Sequence, residues 1–182
     1  FYTAGARDED RPALEVLLYG LVDGKSSRIW KTLVKDTKLA EYFTGEYIEG
    51  ADNGIVIFAA AHLPSLSKKV EKTIWDELEK IKKSGLDDNE FEKIRNQIRS
   101  GNIFEKYHVN QLASTIGYSE VVRGDYELFY QQDKEIENVT QEDIIRVTNR
   151  YFNRDNVRTV YFEPREKNFL ASLAGFFKSI FK

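Results

Sequence analysis

The chain has 182 residues, about the size of one domain. Hydrophobic residues make up 41% and charged residues 31%, which is globular arithmetic rather than disorder or a membrane bundle, and 27 Lys and Arg against 30 Asp and Glu leave a formal charge of −3 that argues against a broad nucleic-acid-binding face. The absence of cysteine excludes disulfides, thiol nucleophiles, iron–sulfur clusters and Cys-based zinc sites, and two histidines, His62 and His108, are too few for most three-ligand zinc sites.

Phe1–Ala4 is short and reads as the stub of a strand. Methionine is absent, so Phe1 is not read as a translation start, and the first twelve residues turn too polar after position 6 for the apolar core of a secretory signal. A processed protein or a piece of a longer one fits both features, and the compartment stays open. The acids of Asp8-Glu9-Asp10 ahead of Arg11-Pro12 mark a helix start, and Leu14, Leu17, Leu18 and Leu21 form its apolar stripe. Gly20 and Asp23-Gly24 close it. Ser26-Ser27 signals the next cap, followed by Ile29, Trp30, Leu33 and Val34 at helical spacing to about Lys38.

The period then changes. Glu41–Ile48 is aromatic and β-branched, a strand; Asp52-Asn53-Gly54 reads as a turn; and Gly54–Ala61 is a second strand, so Asn53-Gly54 predicts a hairpin. Ser65 or Ser67 opens a long helix with Val70, Ile74, Leu78 and Ile81 on one stripe, closed by Gly85. Asp87 with Glu90 resembles a capping box, and the helix it opens carries Phe91, Ile94 and Ile98 to about Tyr107. A further helix is expected from about Gln111 to Val122, stopped by Arg123-Gly124, and another from Asp125 through Leu128, Phe129 and Ile136. Thr140 with Asp143 caps one more, striped by Ile144, Val147 and Tyr151, and Val157–Glu163 is expected as the last strand before Pro164.

Residues 167–182 differ in character. Phe169, Leu170, Leu173, Phe176, Phe177, Ile180 and Phe181 recur at helical spacing, with Lys167, Lys178 and Lys182 and no acid, so 1–166 reads as the domain and 167–182 as an amphipathic basic tail helix. That tail fits a cover for this domain's own apolar surface, a membrane surface, or a partner chain. No run approaches the ~18 apolar residues of a spanning helix. The fold class is α+β, an antiparallel sheet with helices packed on it. Three strands are few for so many helices, which places pairing strands upstream or on a partner.

The candidates for chemistry are sparse. Glu105 and His108 have a spacing used in carboxylate-bridged metal sites, but those need two such pairs. His62 follows a strand, and no H-E-x-x-H or H-x-x-E-H occurs. Ser26, Ser27, Ser65, Ser67, Ser114 and Ser119 lack a G-x-S-x-G context. Gly24-Lys25-Ser26 looks like the close of a phosphate-binding loop, but Tyr19 stands where its first glycine belongs and a helix precedes it. Asp8–Asp10 fits a cation or a helix start, with the helix start the better account. Lys68-Lys69 and Lys82-Lys83 read as solvated helix faces, and the Tyr and Phe residues lie at core spacings rather than as a base-stacking platform. The residues alone therefore give no self-contained catalytic, cofactor or metal constellation.

Several segments, in order, resemble one family. Arg7–Leu14 with Leu17-Leu18-Tyr19-Gly20 resembles a D-x-x-A-L…L…L-G helix; Asp23–Ile29 resembles a G-x-S-S-R-L turn; Leu33–Ala40 resembles L-R-E-K-x-G-L-A-Y, and Gly54–Ala60 sits where the next strand does. Ser84–Phe91 resembles G-x-T-x-x-E-L, Val139–Ile144 resembles V-T-x-x-D-I, and Arg150-Tyr151-Phe152 the K-Y-L after it. The chain is similar over roughly 1–166 to the pitrilysin and mitochondrial-processing-peptidase-like zinc peptidases. The resemblance implies a chamber of homologous α+β domains, zinc on H-x-x-E-H in a partner domain, and here the non-metal second domain without its opening strands. It implies as partners an upstream catalytic domain or homologous subunit and peptide substrates, with homo- or hetero-dimers compatible. Where family members without zinc place an Arg and a Tyr near substrate, this chain has Val34 and Glu41, so that role is not carried over; sliding the register by one places Tyr42 but no Arg. The expected function is wall and contact in a zinc endopeptidase. The alternative is a degenerate homologue acting as an assembly or membrane-peripheral module through 167–182.

Overall fold

Alternation of side chains builds the sheet. The computed structural model describes residues 1–162, apart from the side chain of Glu105. Within them β1 (Tyr2–Ala4), β2 (Tyr42–Glu49) and β3 (Asn53–Ala61) form one antiparallel sheet in the order β1-β3-β2. Tyr42 faces Ala61 at one end of the hairpin and Glu49 faces Gly54 at the other. Phe43 on β2 and Val56 on β3 turn inward and are buried, while Tyr42, Ile48, Ile55 and Ile57 turn outward.

All the helices lie on the inner face. They are α1 (Arg11–Val22), α2 (Arg28–Trp30, continuing as a π turn over Lys31–Asp36), α3 (Ser67–Ser84), α4 (Asp88–Glu105), α5 (Val109–Tyr118, continuing as a π turn over Ser119–Arg123), α6 (Leu128–Glu137) and α7 (Gln141–Tyr151). The α+β reading holds, as do the positions of all seven helices. α1 is the hub, packed on β2, α2, α4, α6 and α7. Its apolar residues wrap most of its circumference, and Leu14, Val16, Leu17 and Leu21 are fully buried. Each such side chain contributes roughly 1.5–3 kcal/mol by leaving water. An aromatic cluster of Phe1, Phe43, Phe58, Trp75 and Phe152 fills the space between sheet and helices, with neighbouring ring centroids 5.0–6.1 Å apart.

Local signals were mostly sound. Asp87 caps α4, its Oδ1 accepting from Glu90 N–H at 2.9 Å. Thr140 and Asp143 form a complete capping box on α7. Three expectations need correction. Ser27 is the residue before α2, but its hydroxyl donates to the Gly24 carbonyl at 2.9 Å instead of capping the helix. Residues 157–162 join no ladder: Val157 has extended backbone angles, yet no strand lies alongside to pair with it, and Glu163 lies outside the described residues. The tail at 167–182 likewise lies outside them. Among the described residues no helix is long and apolar enough to cross a membrane.

The hairpin turn is also displaced from Asp52-Asn53-Gly54. Asn53 and Gly54 already belong to β3, where they face Ala4 and Thr3 of β1, and the reversal falls on Gly50–Asp52 with Gly50 N–H donating to the Asn53 carbonyl at 2.9 Å. Gly54 is required for closeness rather than for a turn: a Cβ there would sit 2.2 Å from the Ala4 carbonyl oxygen. We expect Gly54→Ala to cost about 1–3 kcal/mol in urea unfolding. Gly101→Ala, in an open position within α4, should instead gain about 0.5–1 kcal/mol. Equal effects at the two sites would refute the close-approach account.

Candidate functional site

The residues singled out for chemistry do not converge. His62 follows β3, its Nδ1 3.0 Å from the Leu63 carbonyl oxygen. His108 is exposed and immediately precedes α5, while α4 ends at Glu105, so one continuous helix does not carry that pair. Among the described residues no group of three or more His, Cys, Asp or Glu is placed to hold a metal ion. Ser114 is exposed, and Ser119 is fully buried. Gly24, Lys25 and Ser26 lie on an exposed turn between two helices. Arg28, next along, pairs with Glu90 (Nη2–Oε2 2.5 Å) and docks α2 on α4, so this turn is structural. Val34 is half-buried in the π turn after α2, and Tyr42 stands on the outer sheet face.

Asp10 is the unexpected feature. It is the residue before α1, yet its side chain makes no cap and is fully buried. Arg146 and Arg150 of α7 pair with it, the second at 2.7 Å, and the Tyr151 hydroxyl donates to its Oδ2 at 2.8 Å. These donors occupy both carboxylate oxygens, so Asp10 is no cation ligand. Burial pushes its carboxyl up, but the hydrogen bonds from Arg146 and Tyr151 and the two guanidinium charges outweigh that and hold it below the ordinary carboxylate value.

Arg11, the next residue, reaches the other way. It meets Glu15 of α1 at 3.1 Å, Glu49 of β2 at 3.2 Å and Glu135 of α6 at 3.7 Å. Arg123 closes on Glu135 at 2.7 Å, and the Tyr118 hydroxyl donates to Glu49 at 2.9 Å. Burial pushes the Tyr118 phenol up to about 12, helped by its bond to Glu49. Three acids face two arginines here. Burial pushes Glu15 up; Arg11 opposes, and the charges of Glu49 and Glu135 add to the rise. Sequence reasoning missed both clusters, because Asp10 and its partners are about 140 residues apart. The one local signal was Arg11 and Glu15, four residues apart beside the apolar stripe.

Two open features lie on the sheet. Its outer face exposes Tyr2, Tyr42, Ile48, Ile55 and Ile57 by 42–61% each, with Ala59 and Ala61 among them. Thr44 and Glu46 stand on the same face, opposite Ala59 and Ile57. Beside it, a cleft of about 320 Å³ runs between β3 and residues 156–161, lined by Phe1, Ile57, Phe58, Val70, Trp75 and Val160.

With this geometry in place the comparisons are decisive. Residues 1–98 match the family model of the peptidase M16 inactive domain. The chain belongs to the peptidase M16 inactive-domain family. It is 24% identical over 159 residues to the zinc protease PqqE of Helicobacter pylori, which covers 87% of this chain and 36% of that protein. An uncharacterized zinc protease of Streptomyces coelicolor is 30% identical over 138 residues, covering 75% of this chain and 30% of that protein. The M16 domain here thus spans about a third of the length of the curated relatives it matches. Among solved structures, an inactive peptidase domain from Bordetella parapertussis superposes with a TM-score of 0.78 at 20% identity, covering 92% of each chain. A peptidase M16 inactive domain from Pseudomonas fluorescens gives 0.75 at 14% identity, covering 89% of this chain and 40% of that one.

Two outcomes follow for the ionic clusters. Asp10→Asn removes the charge that Arg146 and Arg150 face. It should cost about 2–4 kcal/mol, below the full cost of breaking a buried pair because both arginines are half-exposed and rehydrate. Because the folded Asp10 has the lower pKa, its stabilisation is complete above the unfolded value and is lost as pH falls through the folded one. Glu15 has the opposite sign. Its folded pKa lies above 4.5, so the native state binds the extra proton and stability falls as pH rises through the folded value. Thermal melts of Glu15→Gln should lack that slope; an unchanged slope would refute the assignment.

Proposed function

We propose that this chain is the non-catalytic domain of a zinc metalloendopeptidase, forming part of the substrate-chamber wall and the contact with a catalytic domain. The observation that carries this reading is the uncovered apolar face of the sheet. A soluble domain that keeps Tyr2, Tyr42, Ile48, Ile55 and Ile57 outside its own core has a surface for another protein surface or for extended peptide. The family membership, and the zinc-protease names of the relatives, supply the chemical context.

In this reading the zinc ligands and the general base belong to the partner domain, on the upstream part of the same polypeptide or on a homologous subunit. There zinc would act as a Lewis acid to activate the attacking water, with a Glu as base. The residues of this chain bind and orient: the outer face excludes water along an extended peptide, and the ionic clusters around Asp10 and Arg11 keep sheet and helices in fixed relation behind it. Peptide substrates and the domain partner are therefore its ligands. The rival reading, a non-enzymatic assembly or membrane-peripheral module, rests on residues 167–182, outside the described structure.

The test is reconstitution. Hydrolysis of quenched-fluorescent peptides by the upstream polypeptide should appear only when this chain is added. Ile55→Glu with Ile57→Glu should lower that activity on the order of tenfold or more, while the thermal midpoint of this chain stays nearly unchanged, because both side chains are already half in water. Full activity without this chain, or with the double variant, would overturn the proposal.

A further inference from the structure

The outer face of the sheet is uneven in a regular way. Its middle strand, β3, turns Ile55, Ile57, Ala59 and Ala61 outward, an apolar row that steps from large to small toward Ala61. β2, at one edge, turns Tyr42, Thr44, Glu46 and Ile48 the same way, and Glu46 stands exposed opposite Ile57. The row is shaped for a rod lying along β3, closest over the alanines, with an acid waiting on its β2 side.

The chain passes beside this face. Asn156 donates to the Tyr2 carbonyl at 2.6 Å, and the Tyr161 hydroxyl donates to Glu71, near the start of α3, at 2.8 Å. Tyr2 faces Ile55, whereas α3 begins just past the Ala61 end of β3. Residues 156–161 therefore carry the chain along the open edge of β3 toward Ala61, and Phe162 there is 94% exposed. Residues 167–182 follow four residues later, outside the described structure, so their sequence alone sets the fit. As a helix their apolar stripe from Phe169 to Phe181 fills an arc of about 140°, with Lys167 and Lys178 along one border. Its sixteen residues would rise about 24 Å. The outward row from Ile55 to Ala61 measures about 20 Å.

We propose that residues 167–182 fold back as a helix over the outer face of the sheet, with the apolar stripe on Ile55, Ile57, Ala59 and Tyr42. Handedness gives the fit its direction. Seen from outside with β3 running upward, β2 lies to its right. A right-handed helix running back from Ala61 toward Ile55 then turns the border of Lys167 and Lys178 to the β2 side, where Glu46 stands. The opposite direction would turn both lysines toward β1. The four-residue tether holds the tail near the face at a local concentration on the order of millimolar. A membrane surface would leave the row on β3 bare and Glu46 facing anionic lipid. This is also the face that the proposed function gives to a partner domain or peptide, so the tail and that occupant exclude one another. The docking itself rests only on this chain's own residues.

Without native cysteine, one introduced thiol reports one place. Ile57→Cys in the full chain should react with a soluble disulfide reagent on the order of tenfold or more slowly than the same variant ended after Glu166. Lys35→Cys, exposed on the π turn after α2, should react equally in both. Phe176→Asp with Phe177→Asp should restore fast labelling of Ile57→Cys without shortening the chain. Glu46→Lys should speed it in the full chain and leave the shortened one unchanged. Equal rates at Ile57→Cys in the full and shortened chains overturn the proposal. Protection that rises with chain concentration, with dimers in sedimentation, overturns it in favour of a second copy. Protection only when vesicles of phosphatidylcholine and phosphatidylglycerol are present overturns it in favour of a membrane. Labelling is read on this chain alone, so its failure is distinct from a failure of reconstituted hydrolysis.

Discussion

Two adjacent residues of opposite charge anchor this fold. Asp10 and Arg11 open α1 and point in opposite directions, Asp10 into Arg146, Arg150 and Tyr151 of α7, Arg11 toward Glu49 of β2 and Glu135 of α6. The start of the hub helix is therefore tied at once to the last helix and to the sheet. Because α1 packs on β2, α2, α4, α6 and α7, fixing its first turn fixes the relative placement of nearly every element. A buried carboxylate is costly unless its lone pairs are satisfied, and here three donors meet it. The arrangement brings order more than net energy: hydrophobic burial along Leu14, Leu17 and Leu21 supplies the driving force, and the ions select one packing of it.

The two clusters differ in how well their charges balance. Around Asp10, Arg146, Arg150 and the Tyr151 hydroxyl satisfy both oxygens, with Asp143 sharing Arg146, and the carboxylate is stabilised. Around Arg11, three acids share two arginines, and Arg11 Nη1, Arg123 Nε and Glu135 Oε2 have no hydrogen-bond partner. The strain of that second cluster falls on Glu15, whose ionised form is disfavoured. The two clusters respond in opposite senses to acid, so the pH dependence of stability reports them separately.

Much of this architecture is legible in the sequence, where the information is local. Caps at Asp87 and Thr140 act over three residues, and the helical stripes repeat every three or four. The family was legible because many weak local motifs occur in the right order. What escaped was non-local. Asp10 looks like a helix cap until α7 arrives at its carboxylate. Asn53-Gly54 looks like a hairpin turn until β1 is laid against it, when Gly54 proves to be the residue that lets Ala4 approach. Ser27 reads as a cap, but its hydroxyl finds the Gly24 carbonyl first. At the candidate site, the exposed apolar character of Ile55 and Ile57 was hidden because β3 reads as an unbroken apolar run.

That unbroken run bears on the open outer face of the sheet. A strand with one wet face alternates apolar and polar residues; a strand covered on both faces does not. β3 carries Ile55 and Ile57 outward and Val56 and Phe58 inward, the pattern of a strand covered on both sides, while its partner β2 alternates more nearly, with Glu46 opposite Ile57. Among the described residues β3 is covered on one face and fully paired along one edge. Among the described residues nothing covers Ile55 and Ile57 on the outer face. A sheet left in this state exposes both peptide groups and apolar side chains, the combination that promotes edge-to-edge aggregation.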